Sequence, residues 1–280
     1  MASLKTIIRG GQMCLKRCYA TGSQLVEVTR DSDTGIDIIS MARAPVNSLN
    51  TELLNSLKAS LLEAKNSRSK GVILTSSLPT IFSAGIDLME MYNADKNKLA
   101  TYWQALQDAW LTLYTMEVPT VAAINGASPA GGCLLAISTE YRVFVQGKHS
   151  IGLNETQLGL VAPKWFRDLY ISLLGYRKAE LALLKGSQFK VEKALEIGLV
   201  DELAKDKADA IEKSKDYILS FENIPKLGRT QTKLAMRENL IEWFKKNKEA
   251  DTEVFVNLIQ LPEIQNGLKR YIEFLKQKQQ

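Results

Sequence analysis

An α/β core followed by an all-helical C-terminal part is the fold class that this sequence predicts. Short continuous apolar runs, the mark of buried strands, occur at residues 71–75 and 120–124 and alternate with stretches of helical period. From Pro163 onward the pattern is almost wholly helical. No fixed-period repeat and no low-complexity linker divides the chain, and the shift near Pro163 is the one candidate boundary.

In chain order, residues 24–29 and 35–41 read as two strands joined by the polar turn 30–34, with Val26, Val28, Ile36, Ile38 and Ile39 supplying β-branched side chains. Residues 43–49 form a loop. Asn50 or Thr51 caps the helix that follows, whose apolar face carries Leu53, Leu54, Leu57, Leu61 and Leu62. After the strand at 71–75, residues 76–87 make a loop containing Pro79 and Gly85. A long helix over 97–116 follows, stopped by Pro119. After the strand at 120–124, a Gly131-Gly132 pair opens a short apolar helix, and 141–145 reads as a strand. The later helices are predicted at 169–174, 179–184, 191–197, 206–220, 224–237, 240–258 and 262–278, with Pro225 and Pro262 at helix starts.

The 280 residues, 45% apolar, suffice for a large core, and no apolar run reaches the length of a membrane span. One histidine, His149, and three cysteines leave no material for a disulfide framework or a four-cysteine metal site, so no metal is expected. The net charge of +5 is concentrated at the start. Residues 1–24 hold Lys5, Arg9, Lys16 and Arg17 and no acid; without those four, 32 basic residues face 31 acidic ones. The remainder is near neutral, which argues against a nucleic-acid partner. The basic, acid-free leader has the composition of a mitochondrial transit peptide, with cleavage placed between Cys18 and Ser23. The predicted division is a leader at 1–23, a core at 24–218 and a helical C-terminal part at 219–280.

Two glycine-bearing turns and one acid are the candidates for chemistry. In the first turn, Ser83-Ala84-Gly85-Ile86-Asp87-Leu88 follows a buried strand, and Gly85 permits a tight backbone path with free N–H groups. In the second, Gly131 and Gly132 let a substrate approach the start of a helix. Glu155 is set among Ile151, Gly152, Leu153, Leu158 and Leu160, and an apolar setting raises a carboxyl's pKa. N–H groups at a helix start and one isolated carboxylate suit proton transfer at a carbon beside a carbonyl, with the oxyanion held by the N–H groups. Asp87 reads as a helix cap, Glu140 as a surface residue or a partner of Arg142, His149 as exposed and Cys133 as a small core residue. Trp103, Trp110, Tyr114, Trp165 and Phe166 read either as core or as the wall of a pocket.

The three motifs F-S-A-G-x-D, N-G-x-x-x-A-G-G-C and G-x-N-E-x-x-L-G, in this order, resemble the crotonase (enoyl-CoA hydratase/isomerase) superfamily, from Pro45 to Val200. The wording around Glu155 is most similar to the superfamily's mitochondrial double-bond isomerases. The resemblance implies a ββα spiral core, a C-terminal trimerisation part, a homotrimer and an enoyl-CoA thioester substrate. CoA would be part of that substrate and no separate cofactor is implied. The N–H groups of Ile86 and Gly131 would form the oxyanion hole, Ala84, Gly85, Ile86, Asp87 and Leu88 would line the path of the pantetheine arm, Glu155 would be the acid/base, and Asn154 would help form the substrate site. Hydratases of the superfamily carry a second glutamate where this chain has Leu134, which cannot hold water. The expected reaction is therefore conversion of 3-cis- or 3-trans-enoyl-CoA to 2-trans-enoyl-CoA in the mitochondrial matrix. A hydratase or a non-catalytic, RNA-binding relative is the alternative.

Overall fold

The computed structural model describes residues 3–9, 12–18 and 25–277, the first two segments and residues 275–276 as backbone only. The apolar runs assemble into one eight-stranded sheet. At one edge β1 (Ser3–Arg9) and β2 (Gln12–Cys18) form an antiparallel hairpin in the leader, where the sequence predicts no strand. The sheet continues antiparallel through β3 (Val26–Asp31) to β4 (Asp37–Met41), the two strands predicted at 24–29 and 35–41. At the turn between them Asp31 Oδ1 accepts from the N–H groups of Asp33 and Thr34.

The loop after β4 carries the short strand β5 (Ser48–Leu49), and α1 (Thr51–Asn66) then starts on Asn50, whose side chain accepts from the Leu53 N–H. The next strand, β6 (Val72–Ser76), is buried along its whole length and lies parallel to β4. A loop carries β7 (Gly85–Ile86) and a 3-10 turn at Leu88–Glu90, and α2 (Lys96–Tyr114) follows, capped by Asp95. β8 (Thr120–Ile124), β9 (Ser128–Pro129), α3 (Gly131–Ile137) and β10 (Tyr141–Val145) complete the predicted alternation. Strands β6, β8 and β10 run parallel, as helical crossovers require.

The remaining elements are β11 (Ser150–Gly152), a 3-10 turn at Glu155–Leu158, α4 (Lys164–Leu174), α5 (Tyr176–Lys185), β12 (Phe189–Lys190), α6 (Val191–Glu196), β13 (Glu202–Ala204), α7 (Lys207–Leu219), α8 (Lys226–Ile259) and α9 (Pro262–Gln277). Strands β9, β11 and β12 make a separate three-stranded sheet, and β5 pairs only with β7. Two expectations need correction. The part after Pro163 is not purely helical, because β13 joins the edge of the main sheet parallel to β10. The helices predicted at 224–237 and 240–258 are one helix, α8, of 34 residues. The predicted break falls at Glu238 and Asn239, and neither residue is a helix breaker.

The helix changes partner near that point. In the first half of α8, Arg237 donates to the carbonyl of Tyr114, the last residue of α2, and Arg229 and Lys233 donate to the carbonyls of Met116, Glu117 and Val118 just after it. Cations at a helix C-terminus satisfy orphan carbonyls and complement the dipole. The second half buries Leu240, Ile241, Phe244, Phe255, Val256 and Ile259 in the main core. No helix among the described residues is long and apolar enough to cross a membrane.

Candidate active site

The first glycine-bearing turn is held by Asn47, which is fully buried. Its Nδ2 donates to Met41 O, Ser76 Oγ and Phe82 O, and its Oδ1 accepts from the Arg43 N–H. Ser83 Oγ donates to Asn47 O and accepts from the Gly85 N–H, and the Ala84 N–H donates to Val46 O. Asn47 thus ties the loop after β4 to the turn at 82–87. Its role was not foreseen; an Asn inside a loop otherwise reads as turn chemistry.

β7 pairs with β5 on one side only. The Asp87 N–H points toward β5, at 3.4 Å from Leu49 O, and toward Tyr102 Oη at 3.0 Å. Successive N–H groups of a strand point in opposite directions, so that of Ile86 points away from β5. Gly131 lies there: a Cβ on it would stand 3.2 Å from Ile86 N. A Cβ on Gly85, whose φ is +88°, would in turn stand 3.1 Å from Gly131 N. Gly131 is the first residue of α3, so its N–H has no acceptor within the helix. Ala130 before it holds φ +47°, a costly conformation for a side-chain-bearing residue, with its N–H fixed on Gly152 O. Two N–H groups from turns 45 positions apart in sequence therefore converge.

Glu155 begins the 3-10 turn after β11. Gly159, at φ +75°, closes that turn, and the Leu160 N–H donates back to Glu155 O. Gln157 and Thr156 tie its outer side to Gly186 O and Leu183 O. The Glu155 side chain is buried, and neither carboxylate oxygen has a hydrogen-bond partner. Burial away from water raises its pKa from 4.5 to about 7, a rise that the nearby N–H of the same residue only partly opposes. Such a group exchanges a proton readily near neutral pH.

Glu155 and Ile86 open onto one cavity of about 300 Å³. Trp103, Leu160, Phe166, Phe255, Leu258 and Ile259 give it an apolar wall. Trp103 stacks on Phe255 with ring centroids 3.8 Å apart. Of the five aromatics with two open readings, Trp103 and Phe166 line the cavity, whereas Trp110, Tyr114 and Trp165 pack behind it as core. Much of the far wall comes from α8, and with it a second acid, Asp251. Glu155 is therefore not the only carboxylate at the cavity. The two differ in commitment: Asp251 Oδ2 accepts from Trp103 Nε1 at 2.8 Å, Gln107 Nε2 at 2.9 Å and Trp165 Nε1 at 3.2 Å.

Of the predicted site residues only Ile86 and Glu155 are part of the cavity lining; Gly131, Ala84, Gly85, Asp87, Leu88 and Asn154 are not. Ala84 is exposed and Leu88 half-buried. Asp87 is the cap expected, accepting from the Met89 N–H and Ser48 Oγ and pairing with Arg43 at 3.0 Å. Asn154 precedes Glu155, its Oδ1 buried without a partner. Glu140 does not pair with Arg142: it joins Arg229 and Lys233 of α8, while Arg142 is buried against Asp201. The sequence reading paired neighbours, whereas the fold supplied nearer charges from distant segments. His149 is half-buried rather than exposed, and Cys133 is a buried core residue. Among the described residues no three His, Cys, Asp or Glu side chains are grouped to hold a metal ion.

The enoyl-CoA hydratase/isomerase family model matches residues 31–280. The chain is 43% identical over 265 residues to the mitochondrial enoyl-CoA delta isomerase 1 of Mus musculus, covering 94% of this chain and 90% of the mouse protein. Against the Homo sapiens protein of the same name it is 40% identical over 258 residues, covering 91% of this chain and 85% of that one. The crystal structure of human mitochondrial delta3-delta2-enoyl-CoA isomerase superposes with a TM-score of 0.89 at 39% identity, over 92% of this chain and all of that one. With a family model spanning most of its length and relatives 40–43% identical over more than nine-tenths of it, this chain belongs to the enoyl-CoA hydratase/isomerase family.

Proposed function

We propose that the protein is a Δ3,Δ2-enoyl-CoA isomerase, converting 3-cis- or 3-trans-enoyl-CoA to 2-trans-enoyl-CoA. The observation that carries this reading is Glu155: a buried carboxylate with both oxygens free, a pKa near 7 and a place on the cavity that Ile86 also lines. The thioester oxygen docks between the N–H groups of Ile86 and Gly131. Glu155 removes a proton from C2, the C2–H pair delocalises through C3–C4, and the negative charge moves to the thioester oxygen. Each preorganised donor there stabilises the dienolate by roughly 3 kcal/mol. Protonated Glu155 then delivers its proton to C4, C2 and C3 become the double bond, and the carboxylate is regenerated. No net proton and no cofactor is consumed.

Hydration would need a second group to hold water, and the position that resembles the hydratase glutamate is Leu134, fully buried in the core. Asp251, the other acid at the cavity, is held by three N–H donors. Supplying the purified protein with 3-enoyl-CoA and 2-enoyl-CoA in separate reactions tests the reading. New absorbance from conjugation with the first, and no loss of conjugation with the second, is expected; steady hydration of the second would overturn it.

The assembly proposed is a homotrimer in the mitochondrial matrix, with residues 1–23 removed on import. Exposed Tyr176, Leu184 and Met236 offer apolar surface for subunit contacts. The acid-free leader supports import. Its removal would leave β3 as the sheet edge, where charged Glu27 and Arg30 discourage edge pairing.

A further inference from the structure

Asp251 is the acid lining the cavity that the isomerisation leaves without a task. It sits on α8 one turn before Phe255, so both side chains face the same way. Its Oδ2 gathers three neutral N–H donors from two other helices, Trp103 and Gln107 on α2 and Trp165 on α4. Lys248, the cation three residues earlier on α8, is taken by Asp108. Gln107 is itself fully buried, donating also to Lys248 O and accepting from Thr252 Oγ1. Trp103 is constrained from three sides: Asp251 holds its Nε1, Phe255 covers one face at 3.8 Å, and Trp165 meets it edge-on at 5.8 Å. Trp103, Phe255 and Asp251 all line the cavity.

From this we propose that Asp251 is a specificity-determining positioning residue: by clamping Trp103 and Trp165 it fixes the depth of the acyl cavity and sets the chain length accepted. This rests on the isomerase reading and extends it to the acyl tail. The carboxylate acts in two ways. It holds the indole of Trp103 as a fixed wall, and it places a charged group where further methylenes would have to be buried. Longer acyl chains are disfavoured because they must displace the ring or desolvate the carboxylate. The residue takes no part in proton transfer, so its effect belongs in KM across a series of chain lengths.

Steady-state kinetics on hexenoyl-, octenoyl- and dodecenoyl-CoA with a Δ3 double bond test this with Asp251→Leu and Asp251→Asn. Leu has similar bulk and accepts no hydrogen bond; Asn keeps an acceptor oxygen. Each further methylene buried is worth about four-fold in affinity. Asp251→Leu should raise the dodecenoyl-to-hexenoyl ratio of kcat/KM by about four- to fifteen-fold, through KM, with a shift in tryptophan emission as two indoles lose their acceptor. Asp251→Asn should give a smaller rise. An Asp251→Leu ratio within two-fold of the wild type overturns the proposal, as does an Asp251→Asn ratio that does not rise at all, and so does a change confined to kcat. If Asp251→Leu fails to fold, the Asp251→Asn ratio decides alone. Wild-type protein inert toward every Δ3 substrate would instead sink the isomerase reading, so the two failures are separable.

Discussion

Replacing Glu155 by Gln should make the protein more stable, and more so as the pH rises. The native carboxyl holds its proton up to about pH 7, against an ordinary value of 4.5. Between those values the native state binds more protons than the unfolded chain, so stability falls with increasing pH; above about 7 the penalty of burying the anion is complete. Holding the titration near 7 rather than 4.5 corresponds to about 3 kcal/mol of destabilisation in the ionised protein. Gln resembles the protonated form and does not ionise, so its advantage should be near zero at about pH 4.5 and reach about 3 kcal/mol at about pH 9. For a domain of this size that is an increase in Tm of roughly 6–12 °C. Thermal unfolding of both proteins across that range measures it. A difference that is flat with pH would refute the perturbed carboxyl. An advantage that shrinks as the pH rises would reverse the assigned sign.

Three further outcomes follow from the same geometry. The pH profile of kcat/KM should rise through about 7 to a plateau, because the base form of Glu155 does the work; a profile still rising only below about pH 5 would contradict the raised pKa. Gly131→Ala should keep the fold, since the sole contact under 3.0 Å is the Cδ1 end of Leu49, but its methyl would stand 3.2 Å from Ile86 N and obstruct the oxygen site. A loss in kcat of about 10²–10³-fold is expected, with far-UV circular dichroism unchanged. Glu140→Gln removes the anion between Arg229 and Lys233, whose ammonium burial already brings down to about 8. Denaturant unfolding should report a loss of about 3 kcal/mol, and a loss near zero would show the pair to be dispensable.

The parts of the site legible in the sequence are those built from local chemistry. Gly85 and the Gly131-Gly132 pair signal backbone turns, and a carboxylate among Ile151, Leu153 and Leu160 signals burial; the structure brings Ile86, Gly131 and Glu155 to such positions. Strands at 120–124 and 141–145 and the helix starts at Pro225 and Pro262 were also read correctly, because each is marked by composition or a breaker. Two-residue strands such as β5, β7, β9 and β12 carry too few residues to show a period, although β5 and β7 aim the Ile86 N–H. The far wall of the cavity was invisible for another reason. Asp251 meets Trp103 across 148 positions, and a helix with apolar side chains does not state which surface will receive them. Glu140 shows the same limit: Arg142 was its neighbour in sequence, but α8 supplied its partners from 89 positions away or more.

The leader offers a test by localisation. A fusion of residues 1–24 to a fluorescent reporter should enter mitochondria, and a reporter that stays cytosolic would contradict import.

Everything proposed about the chemistry converges on one carboxyl group moving a proton from C2 to C4. Its most direct test is turnover of a 3-enoyl-CoA by wild-type protein and by Glu155→Gln at about pH 8, with folding of the variant checked by its thermal transition. The expected result is rapid conjugation by the wild type and a loss of at least about 10³-fold in a variant that is folded and more stable, in the upper part of the roughly 10²–10⁴-fold typical of a general acid–base group because both proton transfers depend on it. A folded Glu155→Gln protein that isomerises at near the wild-type rate would contradict the account.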